Sequence, residues 1–449
     1  MKLLSLVASC AMVSSVATAS TIAIVDSGVD YQHEFLQGRI WENPVDNTVN
    51  RRDEDNNGYR DDIWGWNFFG NNNRIIDYKY NDLFDSDIER FFQLQGLALE
   101  GTIEPEDLRW LQEKAQNRDF VARLNKFGAY VHGTHVASIA AGSNEDARIL
   151  TIRLLPVDNP LQQLEKDVVR ALEEGKSLNF ILKEIIKGGL YLLAKAQGQA
   201  FASVGSYIHG HNSDVANASL GTGVMQAKLI IEPIVRLAMG GNTPDPKSVE
   251  DLAIFFVNRT VAEQRILVEE APNTLFVFAA GNDGTNNDQF PVSPANISAE
   301  NSITVGATFG LQALAPFSNY GQAVHVLAPG VAIRSAIPND LYLKLSGTSQ
   351  AAPYVAGLAA ELKDINPALR PVDLKKIIMA TVDQRDEFQD KVSSSGIVNR
   401  DRAIVAAEKS SAMPIAQAID EARLEVKDQV SVRKWQVSLP ENFPMIGIQ

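Results

Sequence analysis

Six short apolar runs constrain this chain more tightly than anything else in it. They are TIAIV (21–25), ILTIRL (149–154), DVANA (214–218), LFVFA (275–279), SITV (302–305) and VHVL (324–327), and segments with helical periodicity lie between them. Runs this short, bounded by turns and separated by helices, read as strands joined by helical crossovers, which makes the sheet parallel. The expected fold is therefore α/β, with a mainly parallel central sheet between layers of helices. Ligands of such sheets collect beyond the carboxyl ends of the strands. Two of the runs lead into the turns Asp26-Ser27-Gly28 and Gly281-Asn282-Asp283, and turns of this kind are where chemistry is to be sought.

With 449 residues the chain has room for one large domain with insertions or for two domains. Three stretches break the strand–helix rhythm, at 78–129, 159–200 and 224–271, each helical by pattern and short for a core of its own. They read as insertions in one domain spanning 20–410, followed by a tail over 411–449 that carries one helix. Residues 1–19 place Lys2 before an apolar stretch and end in Ala17-Thr18-Ala19, the layout of a secretory leader cleaved after Ala19. A lipid-anchored Cys10 is the competing reading, with only nine residues ahead of it. The leader predicts export, to the extracellular space or to the periplasm and cell envelope. Cys10 is the single cysteine, so no disulfide can hold the exported chain and a bound metal is worth seeking. A formal charge of −14 argues against nucleic acid as a partner. No other stretch is long and apolar enough to be a transmembrane segment.

Polar residues gather in four places. In IAIVDSGVD (22–30) Asp26 closes an apolar strand, where a carboxylate without a partner is costly. It either orients a histidine or caps the next turn, the role read for Asp30. VHGTHVASIAAGS (131–143) offers His132, at the start of a helix of small residues, as a general base. His135 reads as packed in that helix, since no glutamate follows in the H-E-x-x-H manner of zinc proteases. His209 and His211 read as a polar loop with no assigned role. LFVFAAGND (275–283) delivers Asn282, whose amide either donates to an oxyanion or simply makes a turn. LSGTSQAAPYVAGLAA (345–360) sets Ser349 at a helix start, where unpaired N–H groups favour an anion. A mounted nucleophile and a helix cap both fit it. Pro353 is expected in or beside the first turn, where a missing N–H costs least.

Taken together, DSGVD, HGTHVAS, NASLG, AAGND and GTSQAAP resemble the subtilisin-like serine proteases, the subtilases, in the family's own order. FSNYG (317–321) and VLAPG (326–330) extend the likeness, which covers about 21–410. Asp, His, Ser is the order found in subtilisin. The resemblance implies a subtilisin-like three-layer fold and a serine endopeptidase that works through an acyl-enzyme. It makes Asp26 the orienting acid, His132 the base and Ser349 the nucleophile, with Asn282 and the Ser349 N–H as the oxyanion hole. Ser219, Leu220 and Gly221 would pair with an extended substrate. Ala279, Ala280 and Gly281 would line the first specificity pocket, narrowed by Val292. Substrates would be proteins or peptides, the chain a monomer, and no cofactor would be needed for the chemistry. Gln350 and Tyr354 depart from the family's usual Met and His without replacing a reacting group. The helices of 78–129 enter just before His132 and are expected to border the cleft.

One metal candidate remains. RRDEDNNGYRDD (51–62) spaces Asp53, Asp55 and Asn57 ahead of Gly58, with Asp61 beyond, as a calcium loop begins. The twelfth position holds Trp64 instead of glutamate, so a structural calcium site and a solvated acidic turn both fit. Three rival readings are weaker. An inactive binding protein would lack a reacting group, a sedolisin would lack His132 in its HGTH setting, and a dinucleotide-binding enzyme would need G-x-G-x-x-G after the first strand.

Overall fold

The computed structural model of the protein describes residues 19–158 and 182–429. All six apolar runs are strands of one sheet. Numbered along the chain, the strands are β1 (Thr21–Asp26), β2 (Gly65–Asn67), β3 (Arg148–Arg153), β4 (Val215–Ala218), β5 (Thr222–Gly223), β6 (Leu275–Ala279) and β7 (Val292–Ser293). They continue with β8 (Ser302–Thr308), β9 (Val326–Pro329), β10 (Ile333–Ile337), β11 (Leu341–Leu345), β12 (Asp383–Gln384) and β13 (Gly396–Ile397). Nine of them form the sheet in the order β12-β13-β9-β8-β6-β4-β1-β3-β2, and only the β12–β13 edge is antiparallel. Two small antiparallel pairs, β10–β11 and β5–β7, stand apart from it.

The described helices are α1 (Ser86–Leu99), α2 (Pro105–Gln116), α3 (Arg118–Ser143), α4 (Leu182–Gly210), α5 (Val224–Ala238) and α6 (Pro246–Gln264). After them come α7 (Ile266–Glu270), α8 (Thr348–Ile365), α9 (Pro371–Ala380), α10 (Arg400–Ser410) and α11 (Ile415–Glu425). Strand alternation sorts them into layers. Ile22 and Ile24 of β1 face a core shared with Val136 and Ala140 of α3 and with Ala352 and Ala356 of α8. Ala23 and Val25 point the other way, into a core with Val204 and Ile208 of α4 and Leu267 of α7. Both faces are covered, which is why the parallel strands read as unbroken apolar runs. The result is a three-layer α/β architecture.

Small residues let α3 and α8 approach at backbone distance. A Cβ at Gly357 would lie 2.5 Å from the Ala140 carbonyl oxygen, so only glycine fits there. α3 is also longer than its sequence suggests. It starts at Arg118, with Asn117 accepting the Phe120 N–H at 3.0 Å as its cap, and runs unbroken to Ser143. His132 therefore sits in mid-helix and not at a helix start, because the last helix of the 78–129 block is the same helix that carries it. That block packs Phe91, Phe92 and Phe127 against Ile337 and Leu343 of the β10–β11 hairpin. α5 and α6 make a further cluster with Leu190 and Ala194 of α4. Of the 159–200 block, residues 159–181 lie outside the described residues, as do residues 1–18 and 430–449. α11 buries Ala418, Ile419 and Ala422 against the rest of the protein. No described helix is long and apolar enough to cross a membrane.

Candidate active site

Three elements bring the polar residues to one end of the sheet. β1 ends in Asp26, which is fully buried, and α3 supplies His132, which is 6% exposed. His132 Nδ1 lies 2.7 Å from Asp26 Oδ1, and the same oxygen accepts the Ser27 N–H at 2.7 Å. An ionised carboxylate only accepts, so this contact keeps the imidazole proton on Nδ1 and presents Nε2 as the basic nitrogen. Nε2 is buried and has no hydrogen-bond partner among the described residues.

α8 carries Ser349 in its first turn, where helix N–H groups have no intrahelical carbonyl to meet. The Ser349 hydroxyl donates to the Ser219 carbonyl at 3.3 Å, while the Ser219 hydroxyl donates to the Ser349 carbonyl at 3.0 Å. Pro353 accounts for the second bond. The structure places it inside α8 and not in the first turn, and having no N–H it leaves the Ser349 carbonyl without its helical donor. The Ser219 hydroxyl, itself accepting from Asn217 at 2.9 Å, fills that gap. The proline thus ties the segment after β4 to the start of α8.

Asn282 follows β6. Its Oδ1 accepts the Thr348 N–H at 2.8 Å and the Thr348 hydroxyl at 3.0 Å, which fixes the amide with Nδ2 as its donor end. Asn319, in the FSNYG stretch, holds the turn from the other side. Its Oδ1 accepts the N–H groups of Asp283 and Thr285 at 2.9 and 3.2 Å. Gly281 has φ +109° and a Cβ there would meet Asn319 Nδ2 at 2.5 Å, so the turn needs glycine on both counts.

A pocket opens beside Ser349, lined by Ser219, Leu220, Gly221, Ala279, Gly281, Asn282 and Val292. Ala280 is not in it; fully buried, it packs with Val324 and Phe388 on the far side of the turn. Gln226, Asp283 and Thr348 line the pocket as well, with no role foreseen from the sequence. Gln226 donates to Asp283 at 3.1 Å, and burial raises the Asp283 carboxyl above its ordinary range. Asp283 is visible within AAGND, whereas Gln226 lies in a stretch that reads as an insertion. His135 is fully buried, and burial drives its pKa down to about 3. It lies 3.1 Å from the Leu343 carbonyl through Nε2, a packed residue and not a metal ligand.

The acidic loop closes on itself differently from its spacing. Asp46, Asp53 and Asp55 bring oxygens within 4.8 Å of one another. Asp46 is fully buried, and among the described residues its Oδ1 has no hydrogen-bond partner. Burial, with Glu54 alongside, pushes its pKa up to about 6. Asp61 is spent otherwise, capping the N–H groups of Asn50 and Arg51 at 2.7 and 2.9 Å. Asn57 turns its amide nitrogen toward Asp55 and Asp62, both at 3.0 Å, so its oxygen does not join the cluster. His211 has a place after all, 3.4 Å from Asp62. Burial raises Asp62, but hydrogen bonds from His211, Tyr207, Asn57 and Asn43 outweigh it and hold the carboxyl low.

Comparison with known proteins identifies the family of this chain. The family model described as Subtilase family matches residues 17–400. The chain is 36% identical over 141 residues to alkaline elastase YaB of Bacillus sp. (strain YaB), covering 31% of this chain and 35% of that protein. It is 35% identical over 141 residues to subtilisin BL of Lederbergia lenta, covering 31% and 50%. A cell wall-associated protease of Bacillus subtilis (strain 168) is 38% identical over 111 residues, 25% of this chain and 12% of that protein. The chain thus spans half or less of the length of these relatives. With the family match running from before β1 through the end of β13, and with a carboxylate–imidazole pair and a helix-borne serine at one end of its sheet, this chain belongs to the subtilase family.

Proposed function

We propose that the protein is an exported serine endopeptidase in which Asp26, His132 and Ser349 act together. The observation that carries the reading is the buried Asp26–His132 contact of 2.7 Å, which leaves Nε2 as an unpartnered base. In the reaction the Ser349 hydroxyl turns from the Ser219 carbonyl, gives its proton to His132 Nε2 and attacks the scissile carbonyl carbon. Geometry in a substrate-free site is commonly looser than in the reacting complex. The Asn282 amide and the Ser349 N–H stabilise the oxyanion. Collapse breaks the C–N bond, and the leaving amine takes the proton from His132. Water then repeats the sequence, releasing the acid and restoring Ser349. Ser219, Leu220 and Gly221 offer backbone groups to an extended peptide, and the pocket from Ala279 to Val292 receives the side chain before the cleaved bond. Export is supported by the leader pattern and by the cell-wall association that the Bacillus subtilis relative carries in its name.

A structural calcium ion held by Asp46, Asp53 and Asp55 is part of the proposal. Carboxylate oxygens suit this hard cation, and the orphaned buried Oδ1 of Asp46 is what it would satisfy. The chemistry itself needs no cofactor.

The test is peptide hydrolysis by Ser349→Ala, Asp26→Asn and His132→Ala variants. Losses on the order of 10⁴-fold or more in kcat are expected, the scale that triad substitutions in subtilisin and trypsin set. Turnover by Ser349→Ala at the wild-type rate would refute the assignment.

A further inference from the structure

Ser20 sits at the foot of β1 with 3% of its surface exposed. Its backbone N–H and its hydroxyl both donate to Asp364 Oδ1, at 2.8 and 2.7 Å, and Asn144 donates to the other oxygen at 2.6 Å. One residue on, the Thr21 N–H donates to Asp214 at 3.1 Å. Two carboxylates therefore converge on the first backbone nitrogens of the domain. Among the described residues Asp364 has no ion-pair partner. It lines an open cavity together with Glu145, Asp146, Glu361 and Arg400, four carboxylates to one guanidinium. Burial holds the neighbouring Asp214 carboxyl above its ordinary range, against the Thr21 hydrogen bond and the Lys363 charge, with a smaller upward push from Asp364. Lys363 bears on Asp214 only through space, and Asp364 itself is left without a paired cation among the described residues.

We propose that hydrolysis of the Ala19–Ser20 bond supplies it: the new α-ammonium group of Ser20 pairs with Asp364, so that removing the leader adds an ion pair to the fold. The inference rests on reading residues 1–19 as a leader and is independent of the protease chemistry. In the step, water adds across the amide, the C–N bond breaks, and a C–O bond forms. Ala19 keeps a carboxylate, and the freed amine takes up a proton. An amide N–H offers one hydrogen and no net charge, whereas an ammonium offers three in charge-assisted bonds. The Ser20 nitrogen already lies at hydrogen-bond distance, so pairing requires no rearrangement of β1. Because Ser20 is buried in the folded chain, the bond is cut before β1 docks. Pairing raises the folded-state pKa of the amine above its ordinary ~7.7–8.0. The added stability is then fully present at neutral pH and is lost as pH climbs through the raised value.

N-terminal sequencing of the exported protein is expected to read Ser20 first. Another first residue would overturn the leader reading on which the pairing rests. Four chains then form a double-mutant cycle: one starting at Ser20 and one keeping two residues ahead of it, each with Asp364 intact or with Asp364→Asn. At pH 7 the substitution is expected to lower Tm more in the chain that starts at Ser20, by an excess on the order of 2 °C, and the excess should vanish near pH ~10.5. Equal losses in both backgrounds would overturn the pairing. Should Asp364→Asn not fold, the two unsubstituted chains decide the same point: their Tm values converge as pH rises if the ammonium is paired, and a gap independent of pH rejects it. Peptide hydrolysis assayed alongside keeps this outcome separate from that of the active-site proposal.

Discussion

His135 stands one helical turn from His132 and makes the fold itself sensitive to acid. It is fully buried, with Nε2 on the Leu343 carbonyl and the Ile333 backbone close by. Burial is the main reason its pKa falls from 6.5 to about 3, and the charge of His132 pushes the same way. Since the folded value lies below the unfolded one, the unfolded chain takes up the proton first, and stability is lost as pH falls below 6.5. At pH 5 the unfolded state gains about 1.5 pKa units of binding free energy, or ~2 kcal/mol. His135→Gln removes the titration and keeps a terminal N–H for Leu343. Its packing cost is the same at every pH, so the pH dependence isolates the proton. Urea unfolding on a Ser349→Ala background, which on the proposed mechanism removes self-digestion, should show the gap between parent and His135→Gln narrowing by about 2 kcal/mol from pH 7.5 to pH 5. Parallel curves would refute the reasoning. His325 is driven the same way, to about 3, chiefly by burial. Its Nδ1 accepts the Thr304 N–H, which a protonated ring cannot do, so acid sensitivity should survive in part after His135 is replaced.

Further outcomes follow from the packing and the site. Gly357→Ala drives a Cβ to 2.5 Å from the Ala140 carbonyl oxygen and should cost about 1–3 kcal/mol in denaturant unfolding, an overpacking penalty. Ser219→Ala strands the carbonyl that Pro353 leaves free, and a loss of about 1–3 kcal/mol is expected together with a lower kcat. Asn282→Leu should cut kcat by about 10²–10³-fold with KM little changed, read from peptide hydrolysis. Chelator should lower the Tm of the parent protein, and Asp46→Asn should abolish that response to chelator.

Much of the architecture is legible because β1, β4 and β6 are buried on both faces, which writes them as short apolar runs. What escapes is whatever depends on distance along the chain. Asp46 joins the acidic cluster from outside the 51–62 loop, and spacing within a loop cannot reveal a ligand that arrives from elsewhere. Asp61 resembles a ligand by position but is occupied by two backbone N–H groups. The start of α3 is hidden because its cap, Asn117, lies well ahead of the HGTH stretch whose small residues suggest a helix start. Pro353 reads by rule as a proline in or beside the first turn, and its place inside α8 makes sense only once Ser219 is seen to answer the freed carbonyl. Ala280 has the same small side chain as Ala279, but the chain turns at Gly281 and sends it into the core. Asn319 has no signal beyond its motif, since its two bonds reach back to the turn after β6.

The proposed chemistry rests on His132 making one alcohol nucleophilic. Labelling with a fluorophosphonate probe, followed by peptide mass mapping, tests this most directly. A single modified residue is expected, Ser349, with labelling abolished in His132→Ala although Ser349 is intact. Modification of another residue, or labelling that persists without His132, would contradict it.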